Sequence, residues 1–211
     1  MSSLAPSGSI PSSVDARPTT VHPAWLRLTH WLNAVAVLVM VTSGWQIYNA
    51  SPLFDFQFPA AVTLGGWLGG ALLWHFAAMW LLAINGVVYL ILNVVSGRFR
   101  RQYFPLSFRS ILQDLRAAAT GTLSHADLRH YNAVQKFAYL FVVLDLTVIV
   151  ASGLVVFKPV QFPLLRALMG NYDNARVVHF FAMCGLVGFV IVHVVMALLV
   201  PKTILAMLRG R

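Results

Sequence analysis

The chain has 211 residues, of which 59% are hydrophobic and 10% are charged, and its mean hydropathy is +0.75. A water-soluble domain needs more polar surface than this, so the composition indicates a membrane protein. Lys and Arg number 15 against 6 Asp and Glu, but they lie between apolar runs, which is typical of loops facing anionic lipid and disfavours nucleic-acid binding.

The N-terminal segment 1–21 is rich in Ser and Pro and lacks the basic and apolar stretches of a signal peptide. We predict a mobile cytoplasmic tail here and no cleaved signal peptide. Residues 22–211 are predicted to form one domain. Its single cysteine, Cys184, excludes a disulfide framework, a cysteine-rich metal site and covalently attached haem.

Four apolar runs follow in chain order, at about 30–49, 62–95, 137–157 and 177–200. Each approaches or exceeds the roughly 20 residues that cross a bilayer as a helix. The second is longer than one crossing requires, so its helix tilts, or its Gly-rich start at 65–70 packs tightly or lies at the interface. The pattern predicts an all-α membrane protein with a four-helix bundle and no long internal repeat.

The loops differ sharply in basic residues. Two Lys or Arg residues precede the first run, seven lie between the second and third runs and three follow the fourth, whereas segment 49–61 has none and segment 158–176 has three. Because basic loops stay in the cytoplasm, both termini are expected there and the other two loops outside.

Four histidines lie at or within these runs: His30, His75, His179 and His193. An imidazole in the bilayer needs a partner, and iron is one. The last two histidines lie about 21 Å apart on one helix face, which suits two stacked cofactors. Topology places His30 and His193 at the inner level and His75 and His179 at the outer level. We therefore predict two haems, each held by one of these pairs and transferring single electrons.

Other residues are candidates for contact with the haems. Gly185 and Gly188 could let a porphyrin approach the backbone, or could serve helix packing. Arg27 and Arg176 could bind haem propionates, or could act as interfacial anchors. The lone intramembrane acid, Asp145, is either a proton relay or the partner of a polar group. The remaining histidines are expected to be solvated: His22, His125 and His130.

Three sequence segments resemble those of a known family. They are Arg-Leu-Thr-His-Trp-Leu-Asn at 27–33, His-Tyr-Asn-Ala-Val-Gln-Lys at 130–136, and Arg-Val-Val-His at 176–179 followed by His193. Together they resemble the b-type cytochrome subunits of the bacterial cytochrome b561 superfamily, as found in formate dehydrogenases, nickel-iron hydrogenases and thiosulfate-reductase-like systems. The likeness covers residues 22–200, although His130 departs from the family's typical basic residue.

The resemblance implies a multi-pass protein of the bacterial inner membrane that binds two haems b and exchanges electrons between quinone and a partner oxidoreductase subunit, of molybdenum-enzyme or hydrogenase type. It also implies a quinone site at the inner haem near His193, with Asn132 and Gln135. Those two residues could equally cap the third helix. The partner would approach the outer loops, whose aromatic residues could form an interface or a membrane belt: Phe54, Phe56, Phe58, Phe162 and Tyr172.

Two alternative functions remain open at this point. One is a stand-alone b561-type quinone oxidoreductase that reacts with a small oxidant such as superoxide at the outer surface. The other is a haem-free transporter or assembly factor whose histidines bind protons or metal. The same four histidines would serve either alternative.

Overall fold

A computed structural model describes residues 22–97 and 133–210 of the chain, so the predicted tail at 1–21 lies outside the described residues. Every regular element in these two ranges is helical. The long helices are α1 (Ala24–Ala50), α2 (Leu68–Val95), α3 (Ala133–Phe157) and α5 (Tyr172–Leu199). The short ones are a 3-10 turn (Ala60–Val62), α4 (Pro163–Leu168) and α6 (Pro201–Arg209).

The four long helices are each long and apolar enough to cross a membrane. Their outward faces carry large apolar side chains: Leu73 is 74% exposed, Trp80 64% and Leu199 71%. Such a surface is unfavourable in water and suits contact with lipid. The predicted all-α fold with four membrane-spanning helices is confirmed.

The long helices pack as two pairs, α1 with α2 and α3 with α5. In the first pair, the buried side chain of Asn85 in α2 donates from Nδ2 to the Thr29 carbonyl and to Asn33 Oδ1, both at 2.7 Å. In the second pair, Ile149 packs with Ala182 and Leu186. Hydrogen bonds between side chain and backbone and between side chains thus join the helices of the first pair. In lipid, where the hydrophobic effect does not drive helix association, such bonds contribute to packing.

The four long helices begin four to six residues from the predicted starts of the runs, and two of these differences have an identifiable local cause. The second run was predicted to start at 62, but α2 begins at Leu68, because Gly65 and Gly66 have φ values of 110° and 71° that end any helix there. The fourth run was predicted to start at 177, but α5 begins at Tyr172. Its start is set by Asn171, whose side chain accepts a hydrogen bond from the backbone N–H of Asn174. His179 therefore lies two turns inside the helix, whereas the sequence predicted that it lies in the first turn.

The short helix α6 was not predicted. It follows α5 after a break at Val200, and Gly210 ends it with a φ of 80°. Two side chains of α1 hold its last turn: Arg27 Nη1 donates to the Leu208 carbonyl at 2.7 Å, and Trp31 Nε1 donates to the Met207 carbonyl at 3.4 Å. A cation on the free carbonyls of a helix end is favourable, so Arg27 stabilises α6.

Candidate functional site

His30 and His193 lie next to each other, near the start of α1 and the end of α5. Their ring centroids are 6.0 Å apart with the planes inclined by 58°. Metal–imidazole bonds of about 2 Å on each side of one ion would place two ring centroids roughly 6 Å apart. The spacing of this pair therefore suits one ion between the rings.

Aromatic side chains flank this first pair. Trp31 packs edge-on against His30 at 5.4 Å, and Phe189 stacks on His193 at 5.8 Å with an interplanar angle of 12°. Within residues 22–97 and 133–210, neither imidazole makes a hydrogen bond. Aromatic packing therefore positions both rings within the described part of the chain.

His75 and His179 face a common apolar cavity between the two helix pairs. The cavity measures about 30 Å³, and its other lining residues are Met40, Val41, Ile149, Met183 and Leu186. A haem is larger than this, so its entry requires the lining side chains to move. Two of them are methionines, whose unbranched side chains change rotamer most readily.

The two imidazoles of this second pair have equivalent contacts, each with one serine hydroxyl and one backbone carbonyl. His75 Nδ1 lies 3.1 Å from Ser43 Oγ and 3.1 Å from the Met40 carbonyl oxygen. His179 Nδ1 lies 3.0 Å from Ser152 Oγ and 3.1 Å from the Ile149 carbonyl oxygen. Because a carbonyl can only accept, Nδ1 carries the proton, and Nε2 keeps the lone pair that binds a metal.

The donor set fits haem better than a bare metal ion. Among the described residues, no group of three or more His, Cys, Asp or Glu side chains could hold an ion. Each site therefore offers two imidazoles, fewer than the four ligands of most protein metal sites. A macrocycle that brings its own equatorial nitrogens needs only two axial imidazoles. The residues present fit that group.

The two predicted propionate arginines lie at opposite ends of the bundle and have protein partners. Arg176 Nη2 donates to the Ser51 carbonyl at 2.6 Å and to Ser51 Oγ at 3.1 Å, which ties the start of α5 to the end of α1. Arg27 is engaged with α6, but its Nε is buried without a hydrogen bond in the described chain. A guanidinium has five N–H donors, so both arginines keep donors for a carboxylate.

The two predicted haem-packing glycines differ in their surroundings. Gly185 faces α3, where an added Cβ would lie 3.1 Å from Asp145 Oδ1, so helix packing accounts for its small size. Gly188 has open space beside it, with no heavy atom within 4 Å of an added Cβ. Asp145 Oδ2 is buried and makes no hydrogen bond within the described ranges.

The two predicted quinone residues lie at the edge of the described part of the chain or beyond it. Asn132 lies outside the described residues, and Gln135 lies in the first turn of α3 without a described side chain. The loop at 51–59 is held by side chains at the end of α1. Asn49 holds both backbone groups of Phe58 at 2.8 Å, and Tyr48 Oη contacts those of Phe54 at 3.2 and 3.3 Å.

An aromatic cap forms where this loop folds onto α1 and α5. Phe58 stacks on Trp45 at 4.8 Å, and Phe180 stacks on Tyr48 at 5.2 Å. Phe54 and Phe56 belong to the same cluster and stay 42% and 45% exposed. One member of the cap, Phe180, directly follows His179 in α5.

Sequence reasoning missed the serines that contact the histidines, Ser43 and Ser152, and the glycine that follows each of them. An added Cβ at Gly44 would lie 3.5 Å from His75 Cε1, and one at Gly153 would lie 3.2 Å from His179 Cε1. The dipeptide Ser-Gly occurs in two apolar runs, at 43–44 and 152–153, and this recurrence was the available signal.

Comparisons with known proteins agree on one family. The family model of prokaryotic cytochrome b561 matches residues 21–210. One relative, from Azospira oryzae, carries the name of a protein-methionine-sulfoxide reductase subunit, YedZ1; it is 62% identical over 190 residues, which cover 90% of this chain and 96% of the relative. Another, from Cupriavidus necator, carries the name of a nickel/iron-hydrogenase B-type cytochrome subunit; it is 25% identical over 207 residues, 90% of this chain and 83% of the relative. No solved structure matches the chain significantly.

Proposed function

The chain belongs to the prokaryotic cytochrome b561 family and is a multi-pass protein of the bacterial inner membrane, and from that membership we propose that it binds two haems b and carries electrons across the membrane. His75 and His179 would hold one haem, and His30 and His193 the other. A haem with two imidazole ligands supplies reversible one-electron transfer and has no open position for oxygen.

The single observation that carries the proposal is the pairing of the four histidines. Each pair joins side chains from different long helices, and the pairs occupy two levels about 21 Å apart along α5. Two cofactors at these levels would form a path through the apolar interior, where a charge alone is costly.

The proposed partner is a reductase on the outer side of the membrane. The relative from Azospira oryzae carries the name of a protein-methionine-sulfoxide reductase subunit, and it covers 90% of this chain. Reduction of one sulfoxide to a thioether and water consumes two electrons and two protons. Oxidation of one quinol to quinone releases the same number of each, so the two reactions balance. Because a reductase consumes electrons, they would flow from quinol to the reductase.

The quinol would bind at the inner haem, on the side of His193. The family resemblance supports Asn132 and Gln135 as its partners, because their amides can hydrogen-bond quinone oxygens without placing a charge in the membrane. His30 would hold the same haem together with His193. The positive-inside pattern supports a cytoplasmic position for this end of the bundle.

A reconstituted electron-transfer assay tests the proposal. The purified protein in lipid vesicles should be reduced by a water-insoluble quinol, with the absorption bands of reduced haem b as the measurement. Reoxidation should then require both the outer reductase and a peptide that contains methionine sulfoxide. Vesicles that lack the reductase are the control, and their haem should stay reduced.

Two results would contradict this assignment. Rapid reoxidation by superoxide without any reductase would favour the stand-alone oxidoreductase, and a protein without haem absorption would favour the haem-free transporter or assembly factor. The similarity to two proteins that carry the names of redox-enzyme subunits supports the partner-dependent function instead.

A further inference from the structure

The environment of His75 is repeated at His179. In each case the histidine lies on the second helix of a pair and contacts a serine on the first helix. The histidine Nδ1 also contacts a backbone carbonyl oxygen. That carbonyl belongs to the residue three positions before the serine, which is Met40 for Ser43 and Ile149 for Ser152. The two helix pairs therefore present the same local structure to the cavity from opposite sides.

The serine protons are already committed within their own helices. Ser43 Oγ donates to the carbonyl of Val39, four residues earlier, and Ser152 Oγ donates to that of Val148 at 2.7 Å. Each serine oxygen is then free to accept the Nδ1–H of the histidine, which it shares with the carbonyl. Both serines are 0% exposed, so water does not compete for these bonds.

The glycine that follows each serine completes the arrangement. A Cβ at Gly44 or Gly153 would lie 3.5 or 3.2 Å from the imidazole Cε1, so the ring rests against bare backbone. Two hydrogen-bond acceptors and one packing surface leave the ring little freedom to rotate. In the described parts of the chain, the imidazoles of His30 and His193 contact aromatic rings and lack such acceptors.

We propose that Ser43 and Ser152 are equivalent positioning residues, which hold the two histidine ligands of the outer haem in one tautomer and one ring orientation. By doing so they lower the reduction potential of that haem. This inference rests on the proposed function, since it assigns the outer haem to His75 and His179. An acceptor at Nδ1–H makes the opposite nitrogen a more basic ligand, which stabilises ferric iron relative to ferrous iron. Loss of either acceptor should therefore raise the potential.

The test uses the purified full-length holoprotein with Ser43→Ala, Ser152→Ala and the double variant. Redox titration should show an upward shift of the outer haem's midpoint potential in each single variant, of similar size, and roughly the sum in the double variant. The inner haem's potential should stay unchanged. The electron paramagnetic resonance signal of the ferric outer haem should shift too, because it depends on the angle between the imidazole planes.

Two threonines are matched controls. Thr42 in α1 and Thr147 in α3 donate to the carbonyl four residues earlier at 2.8 Å, as the serines do, but neither is hydrogen-bonded to a histidine of the described chain. Thr42→Ala and Thr147→Ala should leave both haem signals in place. Ser43→Thr keeps the hydroxyl and should restore most of the shift seen in Ser43→Ala.

The outcomes separate this inference from the proposed function. Loss of the outer haem alone from Ser43→Ala, with the inner haem retained, also supports the positioning role, since the inner haem reports a folded bundle. Two haems with unchanged outer potential and resonance signal in both serine variants would overturn the inference and leave the proposed function intact. A wild-type protein without an outer haem would overturn both.

Discussion

Replacement of His75 or His179 by alanine should remove the same haem, and replacement of His30 or His193 should remove the other. Each pair would supply both axial ligands of one iron, so loss of either imidazole abolishes six-coordination at that level. Quinol-driven electron transfer to the outer reductase should fall by at least about 100-fold, the upper end of what loss of even an outer-shell partner costs at a metal site. Haem content and the spectra of the remaining haem are the measurements.

A histidine outside the apolar runs serves as the control. His125→Ala should retain both haems and the wild-type rate, because this residue lies in the basic segment between the second and third runs. The pairing would be wrong if His75→Ala and His179→Ala removed spectroscopically different haems.

Gly153→Val should displace His179 and release the outer haem. An added Cβ at this position already lies 3.2 Å from His179 Cε1, and the two further methyl groups of valine need space that the imidazole occupies. The ring would have to leave the Ile149 carbonyl and the Ser152 hydroxyl together. We expect outer-haem affinity to fall by about 10- to 100-fold, as it does when a ligand's supporting contacts are lost.

Two other glycine variants are controls for the Gly153→Val result. Gly86 has no heavy atom within 4 Å of an added Cβ, so Gly86→Val should keep both haems. At Gly44 the corresponding distance is 3.5 Å, an ordinary contact, so Gly44→Ala should be tolerated. Full retention of the outer haem by Gly153→Val would show that His179 is not held where the structure places it.

The four membrane helices were predictable from sequence because a bilayer imposes a minimum apolar length. Their ends were harder to predict. The start of α5 at Tyr172, five residues before the predicted start of the run at 177, depends on one hydrogen bond that the Asn171 side chain accepts. The start of α2 depends on backbone angles that only Gly65 and Gly66 adopt easily.

The histidine pairs were predicted from depth in the membrane, a quantity that basic loops and helix rise define together. The residues that contact the histidines could not be predicted in this way, because depth says nothing about helix rotation. Ser43 and Ser152 could have faced lipid and bonded only to their own helices, as serines in membrane helices commonly do. Their contact with the histidines depends on how the helices of each pair pack.

The arginines show a similar limit. Sequence placed Arg27 and Arg176 at suitable levels for propionates, but charge and depth alone do not reveal competing partners. In the structure Arg176 binds Ser51 and Arg27 binds the Leu208 carbonyl at the end of α6, a helix that apolar-run length does not predict. Nine residues with an amphipathic pattern are too few to cross a bilayer.

The number of haems per chain tests the central claim most directly. The purified protein can be measured by the alkaline pyridine spectrum of its extracted haem together with quantitative amino-acid analysis. Two haems b per polypeptide are the predicted result. A ratio of one, or the absence of haem from protein produced with an ample haem supply, would contradict the account.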